Sequence, residues 1–298
     1  MDEAEGTTRN KRTYINNASY TYNCTTEALI TMAVASAEDK RPLRFLGNQK
    51  CFKIGGTVLP GLLKLVQRRF FPDYSYTKAK HNVDRSSGDT EYKRRQAKKK
   101  KHKRAIGVDL GMALDKHITQ TVDILRRHPE APLCIFYDMA STKLAPLAEE
   151  DKSTIAATLV QTRAFWRAMD TLQLRPVATQ VPVMNSYKGF RYATAVDVVC
   201  MNKLGEHILI ECKSGFTGYY TNCTRNMMSA PLDQLTDSLA NQHQIQLSAT
   251  KEMYQNTFPE HQIGECLIIH IEGAKVSSYP LKPWTHRVQS WAKLLFSA

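Results

Sequence analysis

The chain has 298 residues, with 41 Lys+Arg against 28 Asp+Glu and a formal net charge of +13. Hydrophobic residues make up 42% and aromatics 9%, which excludes wholesale disorder and allows a full core. No apolar run approaches the ~20 residues of a membrane helix, and the N-terminus lacks the basic-then-apolar order of a secretory signal. The expectation is a soluble intracellular protein with no membrane partner. The seven cysteines are odd in number and form no C-x-x-C, which argues against a disulfide framework, a zinc ribbon or an iron–sulfur cluster.

In chain order, residues 1–77 form a region of unclear role. Thr26–Ala37 is compatible with a short helix, and Leu59–Phe71 places apolar residues at helical spacing with basic residues opposite. Phe70, Phe71, Tyr74 and Tyr76 sit beside Arg68 and Arg69, a grouping that suits either base stacking or capping of a core. Residues 78–104 read as a basic flexible linker. Within it Lys93–Arg104 holds nine Lys/Arg and no acid, a density that suits a nucleic-acid arm, a nuclear import signal or a solubilising linker.

Residues 105–298 have a regular texture. Helices are predicted over Ile106–Arg127, Ser153–Leu172 with Ser153 as cap, Leu232–Phe258 and Trp284–Leu295. Strands are predicted over Pro132–Tyr137, Arg175–Met184, Arg191–Met201 and His207–Lys213. A closing hairpin, Cys266–Ile271 with Lys275–Tyr279, turns at Glu272-Gly273. The fold class is α/β: a central mixed β-sheet flanked by helices, with an N-terminal extension.

Chemistry concentrates in Tyr192–Gly215. Strand alternation sets Glu211 and Lys213 on one face and Cys212 on the other. Asp197 interrupts the preceding apolar run, and across the hairpin its carboxylate approaches that of Glu211. Charges inside apolar strands demand a reason, because unpaired burial is costly. One reason is a structural Lys–carboxylate pair at a sheet edge. The other is a site for a hard cation with a lysine beside it, the parts for metal-assisted phosphodiester hydrolysis.

Asp197, thirteen intervening residues and Glu211-Cys212-Lys213 resemble the core motif of the PD-(D/E)xK nuclease superfamily, with Val196 where the motif's Pro stands. The flanks resemble the branch of lambda exonuclease and the RecB nuclease domain. Gly111-Met-Ala-Leu-Asp115 fits that branch's G-x-x-x-H frame, with Asp115 in place of His. Gln180 stands where the branch places a Glu, and Gln246-Leu247-Ser-Ala-Thr250 fits Q-L-x-x-Y with Thr for Tyr.

The resemblance covers roughly Ile106–Tyr279 and implies a restriction-endonuclease-like core. It implies Asp197, Glu211 and Lys213 as catalytic residues. It also implies Mg²⁺ or Mn²⁺ held by Asp115, Asp197, Glu211 and the Cys212 carbonyl. Gln180, Ser214, Tyr219 and Gln246 become substrate contacts, and His117 is a substitute for the missing His if the frame slips. Ser214 with Gly215 and Gly218 suggests a tight loop near phosphate, and Tyr219, Tyr220 and Arg225 either clamp a DNA end or cover a sheet edge. The expected activity is hydrolysis of DNA or RNA, with DNA end processing favoured over internal cutting, in the nucleus of a eukaryotic or virus-infected cell. The rival reading is a catalytically inactive nucleic-acid-binding or assembly protein with the same fold.

Overall fold

The computed structural model describes residues 43–46, 51–71, 111–138, 149–214 and 226–296. The expected helix at Thr26–Ala37, the basic run, Tyr74, Tyr76 and Tyr219 all lie outside these residues. Three short strands, β1 (Leu43–Leu46), β2 (Cys51–Ile54) and β3 (Thr57–Leu59), form an antiparallel sheet ahead of helix α1 (Leu62–Phe70). Residues 111–127 form helix α2, followed by a helical turn α3 (Ile135–Asp138) and the long helix α4 (Glu149–Thr171).

The main sheet then runs in order β4 (Arg175–Tyr187), β5 (Phe190–Met201), β6 (His207–Ser214), β7 (Leu267–Glu272) and β8 (Lys275–Pro280). Helix α5 (Leu239–Thr257) joins β6 to β7, the one parallel pair; the other neighbours are antiparallel. A 3₁₀ turn, Pro283–Arg287, and helix α6 (Trp291–Phe296) complete the described chain. The fold is therefore α/β, with a five-stranded mixed sheet flanked by helices.

The two faces of the sheet carry separate cores. On one, Leu209, Val183 and Ile268 pack against Ile245, Leu247 and Met253 of α5, with α1 and α6 filling the margin through Phe70 and Trp291. On the other, Ile208, Ile210 and Ile269 pack against Leu114 and Ile118 of α2 and Phe165, Trp166 and Met169 of α4. Alternation of apolar residues along β6 and β7 feeds both cores at once, as expected of strands covered on both sides. The small sheet sits on Ala193 through Leu43, Phe52, Ile54 and Leu59. Phe70 and Phe71 are buried in the first core, so they cap it and do not stack on bases.

Several boundaries differ from expectation. Pro132–Tyr137 is not a strand: the chain turns at Leu133-Cys134, and Phe136 buries against Trp166 with ring centroids 5.2 Å apart. An apolar run this short does not distinguish strand from helical turn. Helix α4 starts at Glu149, so Ser153 lies inside it and is not its cap. Helix α5 starts at Leu239, where Ser238 Oγ accepts from the Asn241 N–H, and not at Leu232. The expected terminal helix is split. Glu252 of α5 explains the second start, its carboxylate accepting from the Trp291 and Ala292 N–H groups at 2.5 and 3.3 Å. No helix among the described residues is long and apolar enough to cross a membrane.

Candidate active site

The site forms where β5 and β6 part. Their ladder runs from Met201↔His207 to Val198↔Ile210. Beyond it, the Asp197 carboxylate takes the next position and accepts from the Cys212 N–H at 2.9 Å. On the other side of β5, Val181↔Val196 and Thr179↔Val198 hold register, while the intervening Gln180 and Asp197 are unpaired. Gln180 has φ 50°, a left-handed conformation unusual for a non-glycine residue inside a strand. The pleat slips here: Val196 faces the α5 core, whereas Val198 and Cys200 face the α2/α4 core. The irregularity turns Asp197 out of the apolar alternation and toward the end of β6.

Glu211 is only 2% exposed. Its Oε1 accepts from Lys213 Nζ, two residues along the same face, and from Gln246 Nε2 of α5 at 2.8 Å. The Gln246 side-chain oxygen is also buried and has no hydrogen-bond partner among the described residues. Asp115 arrives from α2 on the opposite layer and is exposed to solvent. Gly111 lets it do so, since a Cβ there would lie 3.0 Å from Ser214 Oγ at the end of β6. The early helix thus docks by close approach at Gly111, which puts Asp115 one turn further on, beside the strand ends.

The three carboxylates act on each other. Desolvation, first, and the Glu211 charge hold Asp115 up at about 6, against the relief given by Lys213. Asp197 is pushed well above the ordinary carboxylate range by desolvation, then by Glu211 and Asp115; Lys213 and the Cys212 N–H oppose the shift. The Cys212 thiol points into the α2/α4 core and is driven up by burial and then by Asp197, so it remains a thiol at neutral pH.

Two histidines belong to the same surroundings and are absent from the residues expected of the site. His243 stands one helical turn before Gln246 on α5, and His270 pairs in register with Lys213. They are 6% and 5% exposed. Burial, then Lys213, then His270 lower the pKa of His243 well below its ordinary value, and burial lowers that of His270, so both are neutral at pH 7. Helical spacing back from Gln246 and alternation along β7 were the available signals.

Asp115, Asp197 and Glu211 are hard oxygen donors sharing one lysine, a surplus of negative charge that suits a divalent cation. The fit is chemical and not one of a closed cage. Among the described residues no three His, Cys, Asp or Glu side chains gather tightly enough to form a ready metal group, and Glu211 is turned toward Lys213 and Gln246.

No family model and no curated protein matches this chain. Among solved structures, 16 chains match. One, titled "Crystal structure of SSO0001", is 14% identical over 58% of this chain and 75% of that one, with a TM-score of 0.26.

Proposed function

We propose that this protein is a metal-dependent nuclease of the PD-(D/E)xK type, hydrolysing phosphodiester bonds, with the processing of DNA ends as its favoured activity. The observation that carries the reading is the convergence of three mutually repelling carboxylates on one half-buried lysine at the break between β5 and β6. A salt bridge built only for structure needs one carboxylate, and two more raise its electrostatic cost.

In this reading Asp115, Asp197 and Glu211 hold Mg²⁺ or Mn²⁺. When bound, the cation supplies Lewis-acid polarisation of the phosphoryl oxygen and a lower pKa for water. Lys213 orients the attacking water and neutralises charge developing on the phosphate. Gln246 fixes the Glu211 carboxylate through its Nε2, leaving its oxygen to receive a hydrogen bond from water or substrate. Gln180, across from Asp197, lines the approach of the strand. The basic run Lys93–Arg104 attracts the polyanion and serves as a nuclear address.

A neutral Gln180 and a Glu211 already engaged by two partners favour a second reading, an inactive nucleic-acid-binding protein. Incubation with labelled linear and circular DNA in Mg²⁺, Mn²⁺ or EDTA separates the two. The enzyme reading expects metal-dependent products that fall by about 10²–10³ in Lys213→Ala, the loss typical of one preorganised stabilising donor. Binding without cleavage under every metal condition overturns it.

A further inference from the structure

A cavity of about 490 Å³ opens on a different part of the molecule, between α1, the β4–β5 turn and α6. Its volume falls within the ~300–1,000 Å³ common for ligand pockets. Arg68 and Arg69 line one side, and Lys188 stands at the turn opposite. The aromatic wall is Tyr187, Phe190 and Phe296; the Tyr187 and Phe296 rings are within 10° of parallel, with centroids 6.0 Å apart. Phe190 packs on Phe296 at 4.7 Å, yet remains 45% exposed. No acidic side chain lines the cavity among the described residues.

Each part is built in. Arg69 Nε donates to the Leu294 carbonyl at 3.3 Å, which joins α1 to the last turn of α6. Lys188 and Gly189 have φ values of 49° and 80°, a two-residue turn with both centres left-handed. Lysine is a poor choice for that conformation, where Asn, Asp or Gly is usual. The turn nevertheless presents its ammonium group beside the Tyr187 ring, 5.5 Å from the centroid. Large exposed aromatics are unfavourable in water, and cations without acids repel one another. Both costs disappear against a ligand that is planar at one end and anionic at the other.

We infer that this cleft binds one nucleotide unit of a single-stranded nucleic acid, its base on Phe190 and its phosphate between Arg68 and Lys188. The pairing of a sequence-tolerant stacking platform with phosphate-seeking cations is the usual physics of single-strand binding. The inference stands apart from the hydrolytic reading, since none of the residues at the carboxylate site takes part.

The test uses the full chain in EDTA, so that no cleavage contributes. Fluorescent oligo-dT is compared with an abasic strand of equal length, which keeps the phosphates and removes the bases. The wild-type protein should prefer oligo-dT. Phe190→Leu, which preserves apolar packing on Phe296, should weaken oligo-dT binding by on the order of tenfold and erase most of that preference. Arg68→Gln with Lys188→Gly, both on the surface and with the turn kept compatible, should flatten the log–log salt slope by about 0.7 for each phosphate that is no longer neutralised. Unchanged preference and slope in both variants overturn the proposal. So does thymidine monophosphate competing as well as a strand does, which makes the cleft a free-nucleotide site. Strand binding that tracks these variants while no metal produces cleavage would sink the nuclease reading alone.

Discussion

Asp197 is the residue on which the site turns. Its carboxylate replaces a backbone acceptor in the β5–β6 ladder and faces two other carboxylates. The pH consequence follows from Asp115, whose pKa stands at about 6 in the fold against an ordinary 3.8. Between those values the folded protein binds more protons than the unfolded chain. Stability therefore falls as pH rises through that window and stays lower above it. Asp197, shifted in the same direction, extends the fall upward. Thermal unfolding in EDTA should show it, and Asp115→Asn should flatten it. Mg²⁺ should raise Tm more near pH 7.5 than near pH 5, because protonated carboxylates do not bind it. A pH-independent Tm in EDTA together with no Mg²⁺ effect would count against the cluster. Glu211→Gln keeps an acceptor for Lys213 and Gln246 while removing one negative charge. It should lose cleavage by at least ~10² and keep DNA binding, equal or tighter, in a filter or anisotropy assay. Loss of binding together with activity would mark Glu211 as structural. The pairing of Glu211 with Lys213 was legible from strand alternation alone. The φ of Gln180 was not, since nothing in a glutamine signals a left-handed residue; His243 becomes a neighbour of Lys213 only once α5 is docked, and His270 only once β7 pairs with β6.

At the scale of elements, long periodic segments were readable and short ones were not. Strands β4 to β8 and helix α2 follow from runs whose period is unambiguous. The turn α3 and the split before α6 depend on tertiary partners: Trp166 for Phe136, and Glu252 for the N–H groups of Trp291 and Ala292. Gly111 belongs to this scale too. In sequence it is one position of a loose frame, while in the structure it is where α2 meets the end of β6. A valine there would drive its side chain into Ser214, whose Oγ lies only 3.0 Å from the place a Cβ would occupy. Either that hydroxyl rotates aside or the helix shifts, and a shift carries Asp115 away from Lys213. Gly111→Val should reduce cleavage strongly while leaving the Leu114 and Ile118 core packed, so that Tm drops by only a few degrees. Adding Ser214→Gly to that variant removes the obstructing hydroxyl and should restore part of the activity. Equal activity in wild type and Gly111→Val would show that α2 does not position the site.

At the scale of the whole molecule, the N-terminal part cannot be judged by its irregular texture. Helix α1 and Phe71 share the apolar core of the main sheet: Leu62, Val66 and Phe70 are fully enclosed and Phe71 is 1% exposed. Backbone bonds tie them in as well, from Ala193 N–H to the Pro60 carbonyl at 3.1 Å and from Ser229 N–H to the Phe70 carbonyl at 2.9 Å. Sequence alone hides this, because an amphipathic helix does not name the surface it will cover. Burial of each large apolar side chain contributes ~1.5–3 kcal/mol. Four such residues therefore represent a stabilisation comparable to the ~5–15 kcal/mol net stability of a typical domain. A chain beginning after Phe71 should consequently lack a cooperative unfolding transition and should bind a hydrophobic dye, since Trp291 and the α5 face lose their cover. Within the full chain, Phe70→Ala should cost ~3–5 kcal/mol in denaturant unfolding, because it also removes the edge-on ring contact to Trp291 at 6.4 Å. A truncated chain that melts as sharply and at the same temperature as the intact protein would show that α1 merely rests on the core instead of completing it.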